Sequence, residues 1–388
     1  MSLADLWMLP DGMDEMLPPQ ARQIETLRRQ LLDLYHAWGY DLVLPPKVEF
    51  LESLLTGVGR DLDLQTFKLT DQVTGRMMGV SADVTPQVAR MDAHSMAKEG
   101  IARFCYSTEI LRTRADNLLG SRSPIQLGAE LFGHAGVASD LEVVSLMTET
   151  LLQAGATDLC LDLGHVGIYR GLLKAAVLPD QVAEDLFDIF QHKRLGELDA
   201  LLAPYASQPA VSLIRELGQL NGGLDVLDRA DSLLALAPDD VLAALQDLRR
   251  LAERLKAAYP DVDVYLDLSE LRGYHYHTGL VFAAYVPGLG QALAKGGRYD
   301  QIGKEFGRAR PATGFSTDLK MLATLRPLET EEQEIWYAPQ AMQADPQGLQ
   351  LIRQLREQGH RVVVMLDHDK RPPSAKVIQK QGQRWLLS

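Results

Sequence analysis

Short strand-like runs recur along most of the chain, and they constrain the fold more than any other feature. A helical pattern over Pro18–Trp38 leads into the first run, and helical patterns at Pro86–Ala97 and Asp140–Ala154 separate others. The runs are Tyr40–Leu44, Thr66–Thr70, Met77–Ser81, Arg103–Leu111, Ile125–Phe132, Asp158–Leu163, Asp263–Leu268 and Leu280–Tyr285. Several are joined by hairpin-scale gaps, which suit antiparallel neighbours because parallel strands need long crossovers. The pattern predicts an α+β fold with a largely antiparallel sheet flanked by helices.

Two other parts of the chain have different patterns. From about Val166 to Tyr259, leucines and aromatic residues recur at three- and four-residue spacing, which indicates a helical insertion. The acidic segment Leu328–Glu334 is typical of a linker. Beyond it, runs that suit strands and one helix predict a small α/β unit: Ile335–Ala338, Pro346–Gly359, Arg361–Leu366 and Arg384–Leu387. The expected domains are therefore residues 1–327, which contain the insertion of about 166–259, and residues 328–388.

Composition argues against several classes of protein. With 388 residues, 46% of them apolar, the chain can bury a sizeable core, and its formal charge of −13 disfavours binding of a polyanion by bulk electrostatics. Only Cys105 and Cys160 are present, without metal-type spacing, so we expect two buried thiols in a reduced protein. The sequence has no signal-peptide pattern and no apolar run near the roughly 20 residues that span a bilayer. We expect a soluble cytoplasmic protein.

The run Ile125–Phe132 has polar residues on one face. If it is extended, Gln126, Gly128 and Glu130 point to the same side and the apolar residues between them point to the core. Such a surface can accept an imidazole N–H at Glu130 and hold an amino or carboxylate group at Gln126, with the glycine leaving room for a ligand. The alternative is a half-exposed edge strand with a solvated polar face.

The segment from Ser81 to Gln87 supports two interpretations. Thr85 precedes Pro86 and a helical pattern, which is typical of an N-cap followed by proline at the first helical position. Asp83, two residues earlier, can present a carboxylate on the side of the Thr85 hydroxyl. Together these groups suit an α-ammonium ligand.

Cationic and aromatic residues mark two further places. Arg112 at the end of a strand offers planar donors for a carboxylate or phosphate, although a surface arginine is the default interpretation. Farther along, Arg272, Tyr274, Tyr276 and Tyr299 lie beside glycines that permit close backbone approach.

Metal and phosphate sites are less favoured by the same segments. His275 and His277 would face the same way on a strand, but a third ligand at suitable spacing is not apparent, so we expect no metal. Gly296–Gly297 lacks the strand–loop–helix lysine pattern of a phosphate loop.

Taken together, these segments resemble the class II histidyl-tRNA synthetase family over roughly residues 8–325. Gly39 through Pro45, with Glu49, is similar to the family's first motif, which lies at its dimer interface. Arg272–Gly273 and Gly297–Asp300 match its two histidine-specific signatures. The resemblance implies a six-stranded antiparallel catalytic sheet with a helical insertion. It also implies a set of histidine-binding residues: Asp83, Thr85, Arg112, Gln126, Glu130, Arg272, Tyr276, His277 and Tyr299.

Several positions depart from that family's pattern. Arg114 replaces the motif-two glutamate that helps to position ATP, and Lys320 and Met321 stand where motif three ends in Glu-Arg. Lys320 cannot simply replace that arginine, because one residue along a helix turns a side chain by about 100° and lysine lacks the planar fork. His277 stands where a tyrosine usually contacts the imidazole. The tail is also shorter than the family's anticodon-binding domain.

In its combination of a retained histidine site and an altered ATP site, the sequence resembles the synthetase-like regulatory subunits of ATP phosphoribosyltransferase. That resemblance implies a non-catalytic protein without a cofactor, which binds L-histidine and activates and feedback-regulates a short-form catalytic subunit in the first step of histidine biosynthesis. ATP, phosphoribosyl pyrophosphate and Mg would then belong to the partner. A dimer, a hetero-octamer with the partner and no tRNA are further implications. The alternatives are an active histidyl-tRNA synthetase, another adenylate-forming enzyme, or a dimeric scaffold without a ligand.

Overall fold

The larger part of the chain is organised around one mixed sheet. The computed structural model describes residues 7–56, 60–115, 120–274, 276–304, 306–328, 335–372, 375–382 and 384–387. Two compact units are present, Met1–Pro327 and Leu328–Ser388. The strands of the first unit are β1 (Asp41–Leu42), β2 (Val48–Phe50), β3 (Lys68–Thr70), β4 (Met77–Val80), β5 (Ala102–Glu109), β6 (Ile125–Phe132), β7 (Cys160–His165), β8 (Asn221–Gly222), β9 (Asp263–Asp267), β10 (Leu280–Tyr285), β11 (Ala294–Arg298) and β12 (Ala312–Asp318). Its helices are α1 (Gln20–Ala37), α2 (Leu51–Leu54), α3 (Arg60–Gln65), α4 (Thr85–Arg90), α5 (Val137–Ala154), α6 (Val166–Ala176), α7 (Asp180–Gln191), α8 (Leu198–Leu202), α9 (Pro209–Leu217), α10 (Asp225–Leu233), α11 (Asp239–Ala258) and α12 (Leu319–Ala323).

The main sheet has nine strands in the order β1-β5-β6-β12-β11-β10-β7-β9-β8. From β5 to β7 every neighbouring pair is antiparallel, which gives six consecutive antiparallel strands. β1 is parallel to β5 and β9 is parallel to β7. The predicted antiparallel sheet is therefore confirmed, and parallel strands extend it on both sides.

Strand β6 lies inside the sheet, between β5 and β12. It covers the predicted range Ile125–Phe132, and its residues are buried on both faces apart from the first. The interpretation of this run as a half-exposed edge strand is wrong, because hydrogen-bonded neighbours and side chains on both faces exclude water.

One face of the sheet packs on helices. Leu127, Ala129 and Leu131 of β6 join a core cluster with side chains of α1, α5 and α11. Helix α1 forms because Ile24, Leu27, Leu31 and Tyr35 recur at helical spacing and bury one side of it. It ends before Gly39, which has φ of +83° and turns the chain toward β1. The opposite face of β6 is thereby left to its polar residues.

The helical pattern between β7 and β9 corresponds to helices α6 to α11. They share the main core through residues such as Tyr169, Phe190 and Leu248. The two-residue strand β8 also lies in this interval and pairs with β9. Two residues are too few to show an alternation of apolar and polar side chains, so this strand could not be predicted from the sequence.

A second, three-stranded sheet has the order β2-β4-β3. Helix α4 follows it and continues as a π-helical segment, Met91–Met96, which ends at Ala97 with φ of +44°. The single helix predicted over Pro86–Ala97 is therefore divided into α-helical and π-helical parts.

The second unit has its own sheet and core. Its elements are β13 (Ile335–Ala338), α13 (Pro346–Glu357), β14 (Arg361–Val364), β15 (Lys376–Gln381) and β16 (Arg384–Leu387), with strand order β14-β13-β15-β16. Its core includes Trp336, Ile352 and Ile378. β15 was not predicted, since only its first three residues are partly or fully buried and the rest are polar and exposed.

Two expectations from composition are also addressed by the structure. Cys105 is buried, but Cys160 is only partly buried, so the expectation of two buried thiols is wrong for one of them. No helix among the described residues is both long enough and apolar enough to cross a membrane.

Candidate functional site

A row of three glycines crosses the face of the sheet that lies opposite the helices. Gly314 of β12 pairs with Glu130 on one side and with Gly297 of β11 on the other, and Val281 links Gly297 to Gly164 of β7. A Cβ atom at Gly314 would lie 1.5 Å from Oε2 of Glu130, and one at Gly297 would lie 2.6 Å from Cδ2 of His277. This glycine row (Gly164, Gly297 and Gly314) leaves space on the sheet for side chains from elsewhere in the chain.

Glu130 lies at the end of the glycine row and is only 1% exposed. The hydroxyl of Tyr106 donates to its Oε1 at 3.0 Å, and the hydroxyl of Tyr299 donates to its Oε2. The pKa of Glu130 is raised to about 8, mainly by burial and to a lesser extent by the neighbouring Asp83 carboxylate, while the hydroxyl hydrogen bonds act to lower it. The carboxyl group is therefore ready to exchange a proton near neutral pH.

Asp83 lies beside the same strand and is held by amide groups. Gln126 donates from Nε2 to Oδ1 of Asp83 at 2.8 Å, and its Oε1 accepts from the backbone N–H of Val84 at 2.9 Å. The backbone N–H of Thr85 donates to Oδ1 of Asp83 at 3.1 Å. These contacts fix the Asp83 carboxylate next to the floor formed by Gln126.

Thr85 does not act as a helix cap. The N-cap of α4 is Val84, without a side-chain cap hydrogen bond, and Thr85 is the first helical residue. Its hydroxyl instead lies 3.4 Å from the hydroxyl of Tyr106. The structure thus favours the interpretation that places Thr85 among the polar groups around Asp83 and Glu130.

Aromatic rings close one side of this cluster. Tyr276 stacks on Tyr299 with ring centroids 5.3 Å apart and an interplanar angle of 29°. The Tyr276 hydroxyl is buried, and the described residues give it no hydrogen-bond partner. Asp83 and Glu130 both act on this hydroxyl electrostatically, and burial is the main cause that raises its pKa. A hydrogen-bond donor or acceptor on a ligand would give the Tyr276 hydroxyl a partner.

His277 follows Tyr276, and its ring is nearly perpendicular to that of Tyr276, at 85°. Its Nδ1 is 3.2 Å from the backbone oxygen of Arg272. Because a carbonyl oxygen only accepts, Nδ1 carries the proton and Nε2 is an acceptor. Burial lowers the pKa of His277 to about 4, so the ring is neutral at physiological pH. Arg170 of α6 donates to the backbone oxygens of Tyr274 and His277, each at 3.1 Å, and so holds this loop.

Arg272 lies at the edge of a cavity of about 280 Å³ that Gln126 and Arg112 also line. Its guanidinium pairs with Glu270 at 3.1 Å and with Asp162 at 3.4 Å. Burial raises the pKa of Asp162 to about 6, although Arg272 acts to lower it. The cavity therefore has guanidinium groups on two sides, with Gln126 between it and Asp83.

One of the positions that depart from the synthetase pattern lines the same cavity. Met321 lines the cavity, and Lys320 donates to Oγ of Ser123 at 3.3 Å. Arg114 is exposed. Arg112 donates from Nε to the backbone oxygen of Ala82 at 3.2 Å, which fixes one side of its guanidinium.

The structure therefore brings together most of the residues that the sequence indicated. Asp83, Thr85, Gln126, Tyr276 and Tyr299 lie around Glu130, and the His277 ring lies over Gly297. Arg272 and Arg112 lie farther along, at the cavity. Tyr274 instead packs edge-on against Tyr169 with ring centroids 5.6 Å apart, outside this cluster.

Sequence reasoning missed Tyr106, and it noticed Gly314 only as part of a motif. Tyr106 lies directly across from Gly128, where a Cβ atom would be 2.5 Å from the Tyr106 hydroxyl. That pairing depends on the register of β5 against β6, which a single sequence does not reveal. A tyrosine inside the predicted strand Arg103–Leu111 was the available signal, because a buried hydroxyl needs a partner.

Among the residues that the structure describes, neither acidic group of the cluster has a cationic partner. Within the described residues, Asp83 and Glu130 form no ion pair, and their hydrogen-bond donors are neutral hydroxyl, amide and backbone groups. An Asp83 carboxylate without a cationic partner favours a ligand that carries positive charge.

The described residues contain no group of three or more His, Cys, Asp or Glu side chains that could hold a metal ion. His275, one half of the predicted histidine pair, lies outside the described residues.

Comparison with known proteins agrees with the fold. A family profile described as Histidyl-tRNA synthetase matches residues 12–322. A crystal structure of an ATP phosphoribosyltransferase regulatory subunit/histidyl-tRNA synthetase from Bacillus halodurans is similar, with a TM-score of 0.81, 28% sequence identity and 94% of each chain covered. The protein therefore has the histidyl-tRNA synthetase-like fold of the class II synthetases.

Relatives that match nearly the full chain show which family within this fold class the chain belongs to. The ATP phosphoribosyltransferase regulatory subunit of Chromohalobacter salexigens is 56% identical over 98% of this chain and 96% of its own length. The protein of the same name from Pseudomonas aeruginosa is 54% identical over 94% of this chain and 92% of its own length. The chain belongs to the family of ATP phosphoribosyltransferase regulatory subunits.

Proposed function

We propose that this chain is a non-catalytic subunit that binds L-histidine and, together with a short-form catalytic subunit, activates and feedback-regulates ATP phosphoribosyltransferase. The observation that carries the histidine part is the pair of acidic groups, the buried Glu130 and the partly buried Asp83, without a counter-ion among the described residues. The names of the relatives support the regulatory part.

The three polar groups of histidine match three parts of the site. Glu130, with Tyr106 and Tyr299 around it, takes a ring N–H. Asp83 and the Thr85 hydroxyl bind the α-ammonium group, whose positive charge balances the Asp83 carboxylate. The α-carboxylate then points along Gln126 toward the cavity, where Arg272 and Arg112 offer cationic donors.

The absence of adenylation chemistry is supported by the groups around the cavity. Met321 lines it at the position where the synthetase pattern has arginine, and Arg114 brings positive charge in place of a glutamate. Stabilising the charge on transferring phosphates is the main task of an adenylating site, and methionine cannot contribute to it. ATP, phosphoribosyl pyrophosphate and Mg then act on the catalytic partner. A dimer of this chain, a hetero-octamer with that partner and no tRNA binding complete the proposal.

Regulation requires that histidine prefer one state of the assembly. A ligand with equal affinity for both states shifts nothing, however tightly it binds. A coupling free energy of about 1–3 kcal/mol would change catalytic-subunit binding or inhibition by roughly 5- to 150-fold.

Calorimetry and a reconstituted assay test this proposal. Histidine titrated into the purified chain is expected to bind, and Glu130→Gln is expected to weaken binding by roughly tenfold or more, because a hydrogen bond to a charged group is lost. Glu149→Gln, whose carboxylate bonds Trp38 and Tyr259 on the helix side, is the matched control and is expected to bind normally.

The regulatory part is tested by adding a short-form ATP phosphoribosyltransferase. The wild-type chain is expected to raise its activity, and histidine is expected to inhibit the complex but not the Glu130→Gln complex. Absence of histidine binding by the wild-type chain would reject the histidine site. Histidine-dependent ATP–pyrophosphate exchange by the chain alone would instead support an active synthetase.

A further inference from the structure

A lysine follows helix α7 at a position that favours glycine. The helix ends at Gln191, and Lys193 has φ of +53°, in the left-handed region. Two backbone hydrogen bonds close the helix in a Schellman motif, from Lys193 to the Phe190 oxygen at 3.2 Å and from the next residue to the Ile189 oxygen at 2.9 Å. Glycine is the usual residue at this position, because a Cβ atom is strained there. The Lys193 side chain is therefore present against the local backbone preference.

The Lys193 ammonium reaches the start of the signature loop, which comprises residues 268–274, 276 and 277. Nζ of Lys193 donates to Oδ2 of Asp267 at 2.5 Å and to Oγ of Ser269 at 3.1 Å. Oδ1 of Asp267 accepts from the backbone N–H and from the hydroxyl of Ser269, at 2.9 Å and 2.7 Å. Asp267 and Ser269 are both buried. A lysine of the helical insertion thus fixes the turn at which the signature loop begins.

This turn is joined to residues of the proposed histidine site by a continuous series of hydrogen bonds. The backbone oxygen of Asp267 accepts from the N–H of Glu270 at 3.1 Å. The Glu270 carboxylate accepts from the backbone N–H of Arg272 at 2.7 Å and from its guanidinium at 3.1 Å. The backbone oxygen of Arg272 accepts from Nδ1 of His277 at 3.2 Å. A displacement of the turn would therefore move the Arg272 side chain and the His277 ring.

Three acidic residues lie close together around the same turn. Burial is the main cause that raises the pKa of Asp162, and the carboxylates of Glu270 and Asp267 raise it too. Arg272 pairs with Glu270 and Asp162, whereas Lys193 pairs with Asp267. Without Lys193, the Asp267 carboxylate would compete with the other two acids for Arg272. Lys193 thus allows the Arg272 guanidinium to keep its place at the edge of the cavity.

The insertion also holds the other end of the signature loop. The ring of Tyr274 packs against Phe187 of α7 with ring centroids 5.2 Å apart. Arg170 of α6 donates to the backbone oxygens of Tyr274 and His277. The insertion therefore contacts the signature loop at both ends, and the placement of α6 and α7 determines where the loop lies.

We infer that Lys193 is a positioning residue of the histidine site, which fixes the signature loop through Asp267 and Ser269 and makes histidine affinity depend on the placement of the helical insertion. This inference rests on the proposed histidine-binding function. Lys193 acts through Arg272 and His277 and not on the ligand itself. A protein that displaces α7 would change the affinity for histidine, and by linkage histidine would change the affinity for that protein by the same factor.

Glycine at position 193 separates positioning from folding. Lys193→Gly removes the ammonium group and relieves the positive φ, whereas Lys193→Ala removes the ammonium group and keeps the strain. Since the Lys193 side chain is 44% exposed, its ion pair contributes little to folding. In calorimetry both variants are expected to bind histidine roughly 3- to 30-fold more weakly than the wild-type chain. Lys193→Gly should nevertheless unfold at a urea concentration no lower than Lys193→Ala.

Two outcomes of this experiment have different meanings. Wild-type affinity in the Lys193→Gly and Lys193→Ala chains would overturn the inference and leave the proposed function intact. Absence of histidine binding by the wild-type chain would reject the proposed function and this inference together.

Val177 offers the matched control. It follows the last residue of α6, has φ of +44°, and is 79% exposed. Val177→Gly relieves the same kind of backbone angle without removing an ion pair, so it is expected to bind histidine as the wild-type chain does. Equal losses of affinity in Val177→Gly and Lys193→Gly would show that a glycine in the insertion weakens binding by itself, and would contradict the role of the ammonium group.

A double-mutant cycle tests the pairing of Lys193 with Asp267. Asp267→Asn keeps an oxygen for Ser269 and loses the charge that attracts the lysine. If the two residues act together, the chain with both Lys193→Gly and Asp267→Asn should bind histidine no more weakly than the weaker single variant. Losses that add in full would mean that the two residues act independently, which would overturn the inference.

Hydrogen exchange provides a readout at the loop itself. The backbone N–H groups of Ser269 and Arg272, which donate to carboxylates in the wild-type chain, should exchange faster in Lys193→Gly. The amides of α11 should exchange at the wild-type rate. Unchanged exchange at Ser269 and Arg272 would contradict a role of Lys193 in holding the signature loop.

Discussion

At the scale of single residues, the site depends on the glycine at position 314, which has no side chain. A Cβ atom at Gly314 would occupy the space of the Glu130 carboxyl, and Gly314 is fully buried in β12. The backbone at this position is extended, so the glycine serves close approach and not an unusual backbone angle.

Gly314→Ala is expected to abolish measurable histidine binding by moving the Glu130 carboxyl. The added methyl group should also destabilise the chain by about 1–3 kcal/mol, as overpacking of a close-packed interior does. Calorimetry with histidine and urea unfolding measure the two effects. Gly196→Ala is the control, because nothing lies within 4 Å of a Cβ there. Normal binding by Gly314→Ala would show that Glu130 is not where the ligand lies.

The pH dependence of histidine affinity follows from the pKa of Glu130. That pKa is raised to about 8 in the free site, so Glu130 is protonated at neutral pH, while the ring of free histidine is neutral above about 6.5. Between these values binding exchanges no proton, and the affinity should be flat. Below about 6.5 binding must release a proton, so calorimetry should show affinity falling up to tenfold per pH unit. An affinity that rises steadily from pH 6.5 to 8 would mean that the complex contains one proton fewer.

Part of the site was predictable at this scale. The alternation in Ile125–Phe132 places Gln126 and Glu130 on one face, and both are buried there, at 5% and 1% exposure. The partners of Glu130 were not predictable in this way, because Tyr106 and Tyr299 meet it through strand register. Gln126 and Glu130 are local to one strand, whereas the cage around Glu130 is a property of the sheet.

At the scale of elements, a buried ion pair ties β11 to the first turn of α5. Arg298 donates to Asp140 through Nε and Nη2, at 3.2 Å and 2.9 Å, and both side chains are less than a tenth exposed. Nη1 of Arg298 also donates to the backbone oxygen of His134 at 3.1 Å. Arg298 belongs to the signature segment that also carries Tyr299, and its role is to hold the strand that positions Tyr299.

Arg298→Met is expected to lower the free energy of unfolding by about 3–5 kcal/mol, because Asp140 would remain buried without its partner. Urea unfolding followed by circular dichroism measures this. Arg29→Met removes an exposed pair with Glu25, at 70% exposure of the arginine, and should cost no more than about 1 kcal/mol. Adding Asp140→Leu to Arg298→Met should recover part of the loss. Equal costs for Arg298→Met and Arg29→Met would contradict a structural role of the buried pair.

Strands with a strong apolar pattern could be predicted from the sequence, and glycine-rich strands could not. Leu280–Tyr285 was predicted with the bounds of β10, since it is a continuous apolar run. β11 and β12 were noticed only as motifs, because Gly296, Gly297 and Gly314 weaken the strand signal. The glycines that hide these strands are the ones that make room on the sheet.

At the scale of the whole molecule, the candidate site lies within the first compact unit. Its residues run from Asp83 to Gly314, and that unit ends at Pro327. The second unit has a separate core around Trp336 and Ile378.

A chain ending at Pro327 is expected to fold and to bind histidine with the affinity of the full chain, because no residue of the proposed site is removed. Calorimetry of the two chains, with circular dichroism as the control for folding, checks this. A folded truncated chain that no longer binds histidine would mean that the second unit contributes to the site.

The hydrogen bond between Tyr299 and Glu130 joins residues that are 169 positions apart. During synthesis at about 5–20 residues per second, Glu130 is added to the chain roughly 8–34 s before Tyr299. Throughout that interval Glu130 lacks its hydrogen bond with Tyr299, and strand β6 lacks its neighbour β12. The proposed histidine site is therefore complete only in a chain whose first unit has been synthesised through β12, and an incomplete nascent chain lacks part of it.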